Sequence, residues 1–308
     1  MSRDAKEWVL RPTLSCRKID RRGDTLENLE LQAESRWFVR VTVIPGQGHF
    51  QSSLISEFFD PSGSICNAWA WFWNRTPQAA SVIRGLLFDA AGTLIEPSEP
   101  VAATYLQVFR SYGWEVGEDL LREAFGRIFE SKGSPQYGDY DSGNGAEVAW
   151  WRDVVFSTMR ECGIEGAGCC SKSEACFDDL FAHYADVSAW SVFPEVGEVI
   201  RSAEEAGFRM GVVSNFDQRL HRILAGAGLG FDFVLTSADA GCRKPQASIF
   251  LQALDHLGLE AREVMHCGDS READQEGARS VGIIPFLVDR PQRDLQAFLN
   301  TAVLWCRK

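Results

Sequence analysis

Four short polar clusters in this chain combine the residue types that handle charged oxygen atoms. Their members are Asp89, the pair Ser214 and Asn215, Lys244, and the pair Asp269 and Asp274. A carboxylate that is fixed next to its target is a competent nucleophile, and carboxylates also bind divalent cations. Lysine, serine and asparagine donate to anions. Together the clusters could therefore combine a carboxylate nucleophile, a divalent cation and an anionic ligand.

Each cluster lies at or near the end of a predicted strand. Short apolar runs predict buried parallel strands over residues 84–90, 208–215, 231–237, 263–269 and 283–288. Helical stretches such as 248–257 and 273–281 separate them. This alternation predicts an α/β fold with a doubly wound parallel sheet, and such sheets bind ligands at the carboxyl ends of their strands.

A long helical stretch, rich in aromatic residues, interrupts this pattern after the first strand. Residues 1–80 differ again, because they show no regular period and carry three tryptophans within residues 67–74. The predicted domains are a poorly ordered N-terminal extension over 1–80, a core formed by 81–96 and 191–308, and an inserted all-helical cap domain over 97–190.

Composition narrows the classes of partner. The net charge of −12 disfavours nucleic acid and anionic membranes as partners, and no run of 18 apolar residues predicts a membrane span. Nine cysteines without paired spacing indicate buried, reduced thiols, which are typical of a reducing compartment. We therefore expect a cytoplasmic protein that acts on a small molecule, with the nucleus or an organelle as alternatives; the sequence does not indicate its oligomeric state.

In this order and at these strand ends, the clusters resemble the active-site motifs of the haloacid dehalogenase (HAD) superfamily. The resemblance covers about residues 84–288, and the helical stretch is similar to the C1-type cap of that superfamily. The segments FDAAGTL at 88–94, VSNFD at 213–217 and WWR at 150–152 are most similar to the HAD-like hydrolase domain-containing protein 3 group. The resemblance implies a Rossmann-like core.

The resemblance also implies roles for the clusters. Asp89 would attack a small phosphorylated metabolite and form an aspartyl-phosphate, and Mg²⁺ would offset the repulsion between the two anions. The implied metal ligands are Asp89, the backbone carbonyl of Ala91, and Asp269, with Asp274 behind them holding Lys244 or a metal-bound water. The implied phosphate-binding residues are Ser214, Asn215 and Lys244, with Gly92 and Thr93 bracing the loop beside Asp89.

One position departs from the superfamily pattern. Most of its phosphatases carry a second Asp two residues after the nucleophile, where it protonates the leaving alcohol and then activates water, but this chain has Ala91. General acid–base catalysis contributes about 10²- to 10⁴-fold in rate. We therefore expect a hydrolase whose turnover is slowed at this step.

Two other functions remain open. A domain that has lost turnover would act by binding a phosphorylated ligand or a partner protein. Phosphonate cleavage would pair Ala91 with a cap lysine, for which Lys132 and Lys172 are the candidates, although surface positions are expected for both. Dehalogenation needs no metal, so the presence of both Asp269 and Asp274 argues against it.

Three further residues are not assigned to catalysis from the sequence. His266 lies inside a predicted strand and is interpreted as a core residue. Arg152 and Arg219 are interpreted as parts of solvated helix faces.

Overall fold

The computed structural model describes residues 28–32, 38–44, 53–59, 82–139 and 143–306, within two compact units that divide after residue 79. In the first unit, β1 (Asn28–Gln32), β2 (Phe38–Ile44) and β3 (Ser53–Phe59) form an antiparallel sheet in that order. The tryptophan-rich segment at 67–74 lies outside the described residues. The same holds for most of the extension that we expected to be poorly ordered, so that expectation stays a prediction.

The second unit holds the clusters identified above. Its strands are β4 (Gly85–Phe88), β5 (Ile95–Pro97), β6 (Trp190–Val192), β7 (Arg209–Ser214), β8 (Phe233–Thr236), β9 (Val264–Gly268) and β10 (Ile284–Leu287). Its α-helices are α1 (Val101–Ser111), α2 (Glu118–Ser131), α3 (Gly143–Glu161), α4 (Ser171–His183), α5 (Val196–Glu205), α6 (Arg219–Gly226), α7 (Ser237–Ala240), α8 (Ala247–Leu257), α9 (Gly277–Ser280) and α10 (Leu295–Cys306). A π-helical turn, Arg271–Glu276, precedes α9.

Five of these strands form a parallel sheet in the order β10-β9-β4-β7-β8. The chain runs outward from β4 through β7 to β8, then crosses back to β9 on the other side of β4. The crossing places a topological switch point between β4 and β9, where such sheets bind ligands. The predicted doubly wound α/β fold is confirmed.

Helices cover both faces of this sheet. Residues from α5, α6 and α10 join one apolar cluster, and residues from α8 and α9 join the other. Along β4, Leu86 and Phe88 point into the first cluster while Leu87 points into the second. Burial on both faces explains why the strands appear in the sequence as continuous apolar runs.

The helical stretch after the first strand is an insertion with its own apolar core. Helices α1 to α4 lie between β5 and β6, which pair with each other antiparallel. Side chains from α1 to α4 form a third cluster, which includes Phe109, Met159 and Phe177. The two antiparallel strands bring the chain back to the sheet close to where it left.

Of the two lysines for which we expected surface positions, Lys172 is exposed, whereas the side chain of Lys132 is only 24% exposed. Lys132 forms an ion pair with Asp153 at the end of α2, and Lys172 lies exposed over the ring of Trp114. No helix in the described residues is long and apolar enough to cross a membrane. The cysteines with described side chains are free thiols, but Cys169 and Cys170 are exposed rather than buried as expected.

The interpretation of Arg219 as a solvated residue is wrong. Its side chain is 11% exposed and pairs with the fully buried Asp217, with Nη2 2.7 Å and Nε 2.8 Å from the two carboxylate oxygens. It also donates to the carbonyl of Phe181 in α4 and lies over that ring. By contrast, Arg152 forms a half-exposed ion pair with Glu174, as expected for a helix surface. Arg219 therefore joins the insertion to the core.

We expect Arg219→Met to lower the free energy of unfolding by about 3–5 kcal/mol, because it leaves the buried Asp217 carboxylate without its partner. Urea unfolding would measure the loss. The control is Arg222→Met on the same helix, whose exposed side chain donates to the carbonyl of Ala185. The double variant Asp217→Asn/Arg219→Met should recover part of the loss; no recovery would contradict this account of the pair.

Candidate active site

Asp89 lies at the point where the central strand ends. Phe88, the last residue of β4, pairs with Val212 of β7 and Cys267 of β9, so Asp89 emerges between those two strands. The backbone N–H of Asp89 donates to the carbonyl of Cys267 across 2.8 Å. Ser214 ends the neighbouring strand, β7. The switch point thus holds the predicted nucleophile.

A lysine ammonium group lies between two carboxylates in this crevice. The Nζ atom of Lys244 is 2.7 Å from Oδ1 of Asp89 and 2.5 Å from Oδ1 of Asp274. All three side chains are buried. The loop before α8 and the π-helical turn after β9 are thereby tied to the end of β4, although the three residues are far apart in the sequence.

Asn215 holds the backbone of Lys244 in place. Its side-chain amide donates to the Lys244 carbonyl at 3.0 Å and accepts from the Lys244 N–H at 2.8 Å. This two-point contact leaves one amide N–H of Asn215 for another acceptor. The expected role of Asn215 as a phosphate ligand stays a prediction, and the contact adds a role in orienting Lys244.

Asp274 fits into space that Gly268 leaves free. A Cβ atom at Gly268 would lie 2.1 Å from the Asp274 carboxylate carbon, so a side chain there would displace Asp274. His266, two residues earlier on the same face of β9, is fully buried and places Nε2 2.9 Å from Oδ1 of Asp274. His266 is thus a core residue, as expected, but it also contacts the cluster, which the sequence interpretation missed.

Asp269 completes a group of three carboxylates. Asp89, Asp269 and Asp274 each present an oxygen within 4.8 Å of the other two, and Asp269 is the exposed member. Gly92 has φ 82°, and a Cβ there would lie 2.5 Å from Oδ2 of Asp269. Glycine is therefore required at residue 92 by the turn and by the close approach of Asp269.

Burial and mutual repulsion oppose ionisation of two of these carboxyls. Burial, together with the charges of Asp89 and Asp274, raises the pKa of Asp269 to about 6. Burial likewise raises the pKa of Asp89, and Lys244 offsets only part of that effect. Additional positive charge would therefore favour the ionised, nucleophilic form of Asp89.

Lys244 and Asp274 stabilise each other's charged forms. Burial favours the neutral form of Asp274, but the Lys244 charge and the hydrogen bond from His266 outweigh it, so the pKa of Asp274 lies below its ordinary value. Burial also opposes the charge on Lys244, but the two carboxylates raise its pKa. Both groups are thus ionised at neutral pH.

The loop after Asp89 is held in place by an arginine that is distant in the sequence. Arg290 donates to the carbonyls of Gly92 at 3.0 Å and Thr93 at 2.6 Å, and it pairs with Glu195. Its guanidinium carbon lies 3.7 Å from the centre of the Phe193 ring. The sequence interpretation missed Arg290, since 198 residues separate it from Gly92 and no local pattern marks it.

The same loop contains a buried hydroxyl without a partner. Thr93 is fully buried, and its Oγ1 atom has no hydrogen-bond partner among the described residues. Its expected role in bracing the loop stays a prediction, and the backbone contacts to Arg290 provide a separate brace.

The donor set fits a divalent cation. Three carboxylates face one another with one ammonium group, so the cluster carries two net negative charges when all three carboxyls are ionised. Carboxylate oxygens are the ligands that hard divalent cations prefer. The backbone carbonyl of Ala91, two residues after Asp89, belongs to the loop that Arg290 fixes at Gly92 and Thr93. The three carboxylates could therefore hold a divalent cation.

We expect Lys244→Met to lower the free energy of unfolding at pH 7 by about 3–5 kcal/mol, because it leaves two buried carboxylates without their shared cation. The low folded-state pKa of Asp274 stabilises the wild type above the unfolded value of about 3.9, and this stabilisation is lost as the pH falls through the folded pKa. The difference between the two proteins should thus narrow in acid. Urea unfolding at several pH values measures it.

The matched control is Lys172→Met, at an exposed lysine that lies over Trp114. This change should cost no more than about 1 kcal/mol, with little dependence on pH. A Lys244→Met protein as stable as Lys172→Met would show that the buried contacts do not stabilise the fold.

Known proteins match this chain over the second unit. The sequence model of the haloacid dehalogenase-like hydrolases matches residues 83–282. The haloacid dehalogenase-like hydrolase domain-containing protein 3 of Bos taurus is 35% identical over 213 residues, which cover 68% of this chain and 83% of that protein. The phosphoglycolate phosphatase of Pectobacterium atrosepticum is 30% identical, over 66% of this chain and 81% of that protein.

A comparison with solved structures finds the same fold. A HAD-superfamily hydrolase of subfamily IA from Geobacter sulfurreducens PCA superposes with a TM-score of 0.53 at 17% identity, covering 74% of this chain and all of that one. At this identity the likeness concerns the fold alone. The resemblance inferred from the four clusters, including its similarity to the domain-containing protein 3 group, is confirmed, and the chain belongs to the haloacid dehalogenase-like hydrolase family.

Proposed function

We propose that this protein is a Mg²⁺-dependent phosphatase that hydrolyses a small phosphorylated compound through an aspartyl-phosphate at Asp89. One observation carries the proposal: the buried ammonium of Lys244 joins Asp89 to Asp274 beside a third carboxylate, Asp269. A nucleophile held by a lysine within an acidic cluster suits attack on an anionic phosphorus centre. The phosphatase among the relatives supports the same class of reaction.

In the proposed reaction, a carboxylate oxygen of Asp89 attacks phosphorus and the ester oxygen leaves with the bonding electrons. Lys244 keeps Asp89 oriented and counters the charge that develops on the phosphoryl oxygens. Ser214, at the end of β7, and the free amide N–H of Asn215 would donate to those oxygens. Water then opens the aspartyl-phosphate, which releases phosphate and restores the Asp89 carboxylate.

Mg²⁺ would be held by Asp89, Asp269 and the backbone carbonyl of Ala91, and it would supply charge neutralisation between the nucleophile and the phosphoryl group. Asp274 would lie behind these ligands, where it already holds Lys244. Gly92 and Thr93 would keep the loop close to the phosphoryl group. The raised pKa of Asp269 and Asp89 supports a bound cation, since positive charge would return both groups to their ionised forms.

The helical insertion, over about residues 97–190, would act as the cap that closes the site and selects the substrate. Arg219 would hold it to the core through the Phe181 carbonyl. We place the reaction in the cytoplasm with a soluble metabolite as substrate. The net charge of −12 makes nucleic acid and anionic membranes poor partners.

A binding protein without turnover is the second candidate, and Ala91 is the observation that favours it. A methyl group cannot protonate a leaving alcohol. Phosphonate cleavage is less well supported, because Lys132 is paired with Asp153 and Lys172 is exposed. Dehalogenation is disfavoured by the metal-like carboxylate cluster that contains Asp269 and Asp274.

We expect the purified protein to hydrolyse p-nitrophenyl phosphate and acetyl phosphate with Mg²⁺ and to lose this activity in EDTA. Both compounds have leaving groups that need little protonation, so they bypass the missing acid. Asp89→Asn should lose activity by a factor of about 10² or more, because an amide is not a competent nucleophile. Wild-type turnover no greater than that of Asp89→Asn would overturn the phosphatase proposal.

We also expect Ala91→Asp to raise turnover of alkyl phosphates by about 10²- to 10⁴-fold, since it restores a group that can protonate a poor leaving group. Steady-state rates with glycerol 2-phosphate would measure the gain. Ala91→Asn is the matched control, because asparagine has the same shape but transfers no proton. Equal rates for the two variants would show that the pocket lacks another catalytic element.

A further inference from the structure

An apolar cavity of about 200 Å³ lies between the helical insertion and the core. The insertion lines it with aromatic rings from α1, α2, α3 and α4, including Tyr105, Phe125, Trp151 and Phe177. Pro97 of β5 and Trp190 of β6, at the base of the insertion, also line it, and the core contributes Phe216 and Arg219. The ring centres of Trp190 and Phe216 are 5.5 Å apart. An apolar cavity of about 150 Å³ accommodates one benzene molecule, so this cavity has room for one substituted ring.

The cavity wall has few groups that could replace the hydrogen bonds of a polar ligand to water. Of the described residues that line it, only Arg219 is charged, and Asp217 already pairs with that guanidinium. Burial raises the pKa of Tyr105 and of Tyr184, so both phenols are neutral at physiological pH. A sugar hydroxyl placed here would lose its hydrogen bonds to water and gain few in return.

Two segments next to the proposed phosphoryl site contribute residues to the cavity wall. Phe216, in its wall, directly follows Asn215 in the chain. Ala91 forms a β-bridge with Ile95, which begins β5, and β5 ends at Pro97 in the cavity wall. The segments that follow Asn215 and Ala91 therefore each contribute a residue, Phe216 and Pro97, to the wall of the cavity.

Ala91 restricts which leaving group the proposed reaction can release. Without a proton donor at residue 91, the ester oxygen must leave as an anion. A phenol has a pKa of about 10, as for tyrosine, and is far more acidic than an alkyl alcohol. Loss of an unprotonated aryloxide is correspondingly easier than loss of an alkoxide.

From these two observations we infer that the substrate is an aryl phosphate monoester whose apolar ring occupies the cavity. This inference rests on the proposed phosphatase function and names its substrate class. Asp89 forms the new bond to phosphorus as the bond from phosphorus to the aryl oxygen breaks. The aryloxide keeps the electron pair and takes a proton from water. A second water then releases phosphate from Asp89.

The test compares kcat/KM for 4-methylphenyl phosphate, 3-sulfonatophenyl phosphate and acetyl phosphate with Mg²⁺. The sulfonated ring is the better leaving group but carries a charge that the cavity does not accept. We expect 4-methylphenyl phosphate to be at least about tenfold better than its sulfonated counterpart, which corresponds to about 1.4 kcal/mol. Acetyl phosphate reports on the phosphoryl site without filling the cavity.

Phe129→Glu places a carboxylate at the cavity wall, and Leu120→Glu is its matched control. Both residues lie on α2 and both are 44% exposed, but only Phe129 lines the cavity. In Phe129→Glu, the kcat/KM ratio of 4-methylphenyl phosphate to acetyl phosphate should fall at least about tenfold, mainly through KM. In Leu120→Glu it should stay constant. Phe129→Gln repeats the test without added charge if Phe129→Glu does not fold.

Two outcomes would overturn the inference in different ways. If acetyl phosphate is hydrolysed but the sulfonated ester is used as well as 4-methylphenyl phosphate, and Phe129→Glu behaves as Leu120→Glu, the cavity does not hold the ring. The proposed phosphatase function would then still hold, but the assignment of an aryl phosphate as its substrate would be wrong. If none of the compounds is turned over faster than by Asp89→Asn, the phosphatase proposal fails, and the substrate class fails with it.

Discussion

The site depends on one ammonium group that is shared by two buried carboxylates. Removing a charge from water costs several kcal/mol, so Lys244, Asp89 and Asp274 can be buried together only if their positions are closely fixed. Each comes from a different segment of the chain. The loop before α8, the end of β4 and the turn after β9 must therefore meet within hydrogen-bonding distance whenever the domain is folded.

Several neighbouring features follow from that requirement. Asn215 fixes the backbone on which Lys244 stands, and the missing side chain of Gly268 gives Asp274 its space. Arg290 holds the loop beside Asp89 through two backbone carbonyls. Asn215 and Arg290 hold backbone groups, and Gly268 leaves room for a side chain. None of the three is proposed to form or break a bond in the reaction. Their effect is to keep the charged centre aligned before any ligand arrives.

The sequence predicted the parts of this arrangement that depend on local pattern. Strands buried on both faces must be apolar throughout, so β4 and β9 were recognisable, and their polar ends were recognisable with them. Arg290, the contact of His266 with Asp274 and the burial of Arg219 were not predicted. Each depends on which segments meet after folding, and an arginine near Gly92 in space is 198 residues away in sequence.

The cavity and Ala91 are separate features of the second unit, yet each restricts the leaving group of the proposed substrate. A wall of aromatic rings favours an apolar leaving group through burial of its surface. The absence of a proton donor favours a leaving group that is stable as an anion. An aromatic ring bearing the ester oxygen satisfies both conditions, whereas an alkyl chain satisfies only the first and an acyl phosphate only the second. Recognition by the insertion and reactivity at Asp89 would thereby select one class of compound.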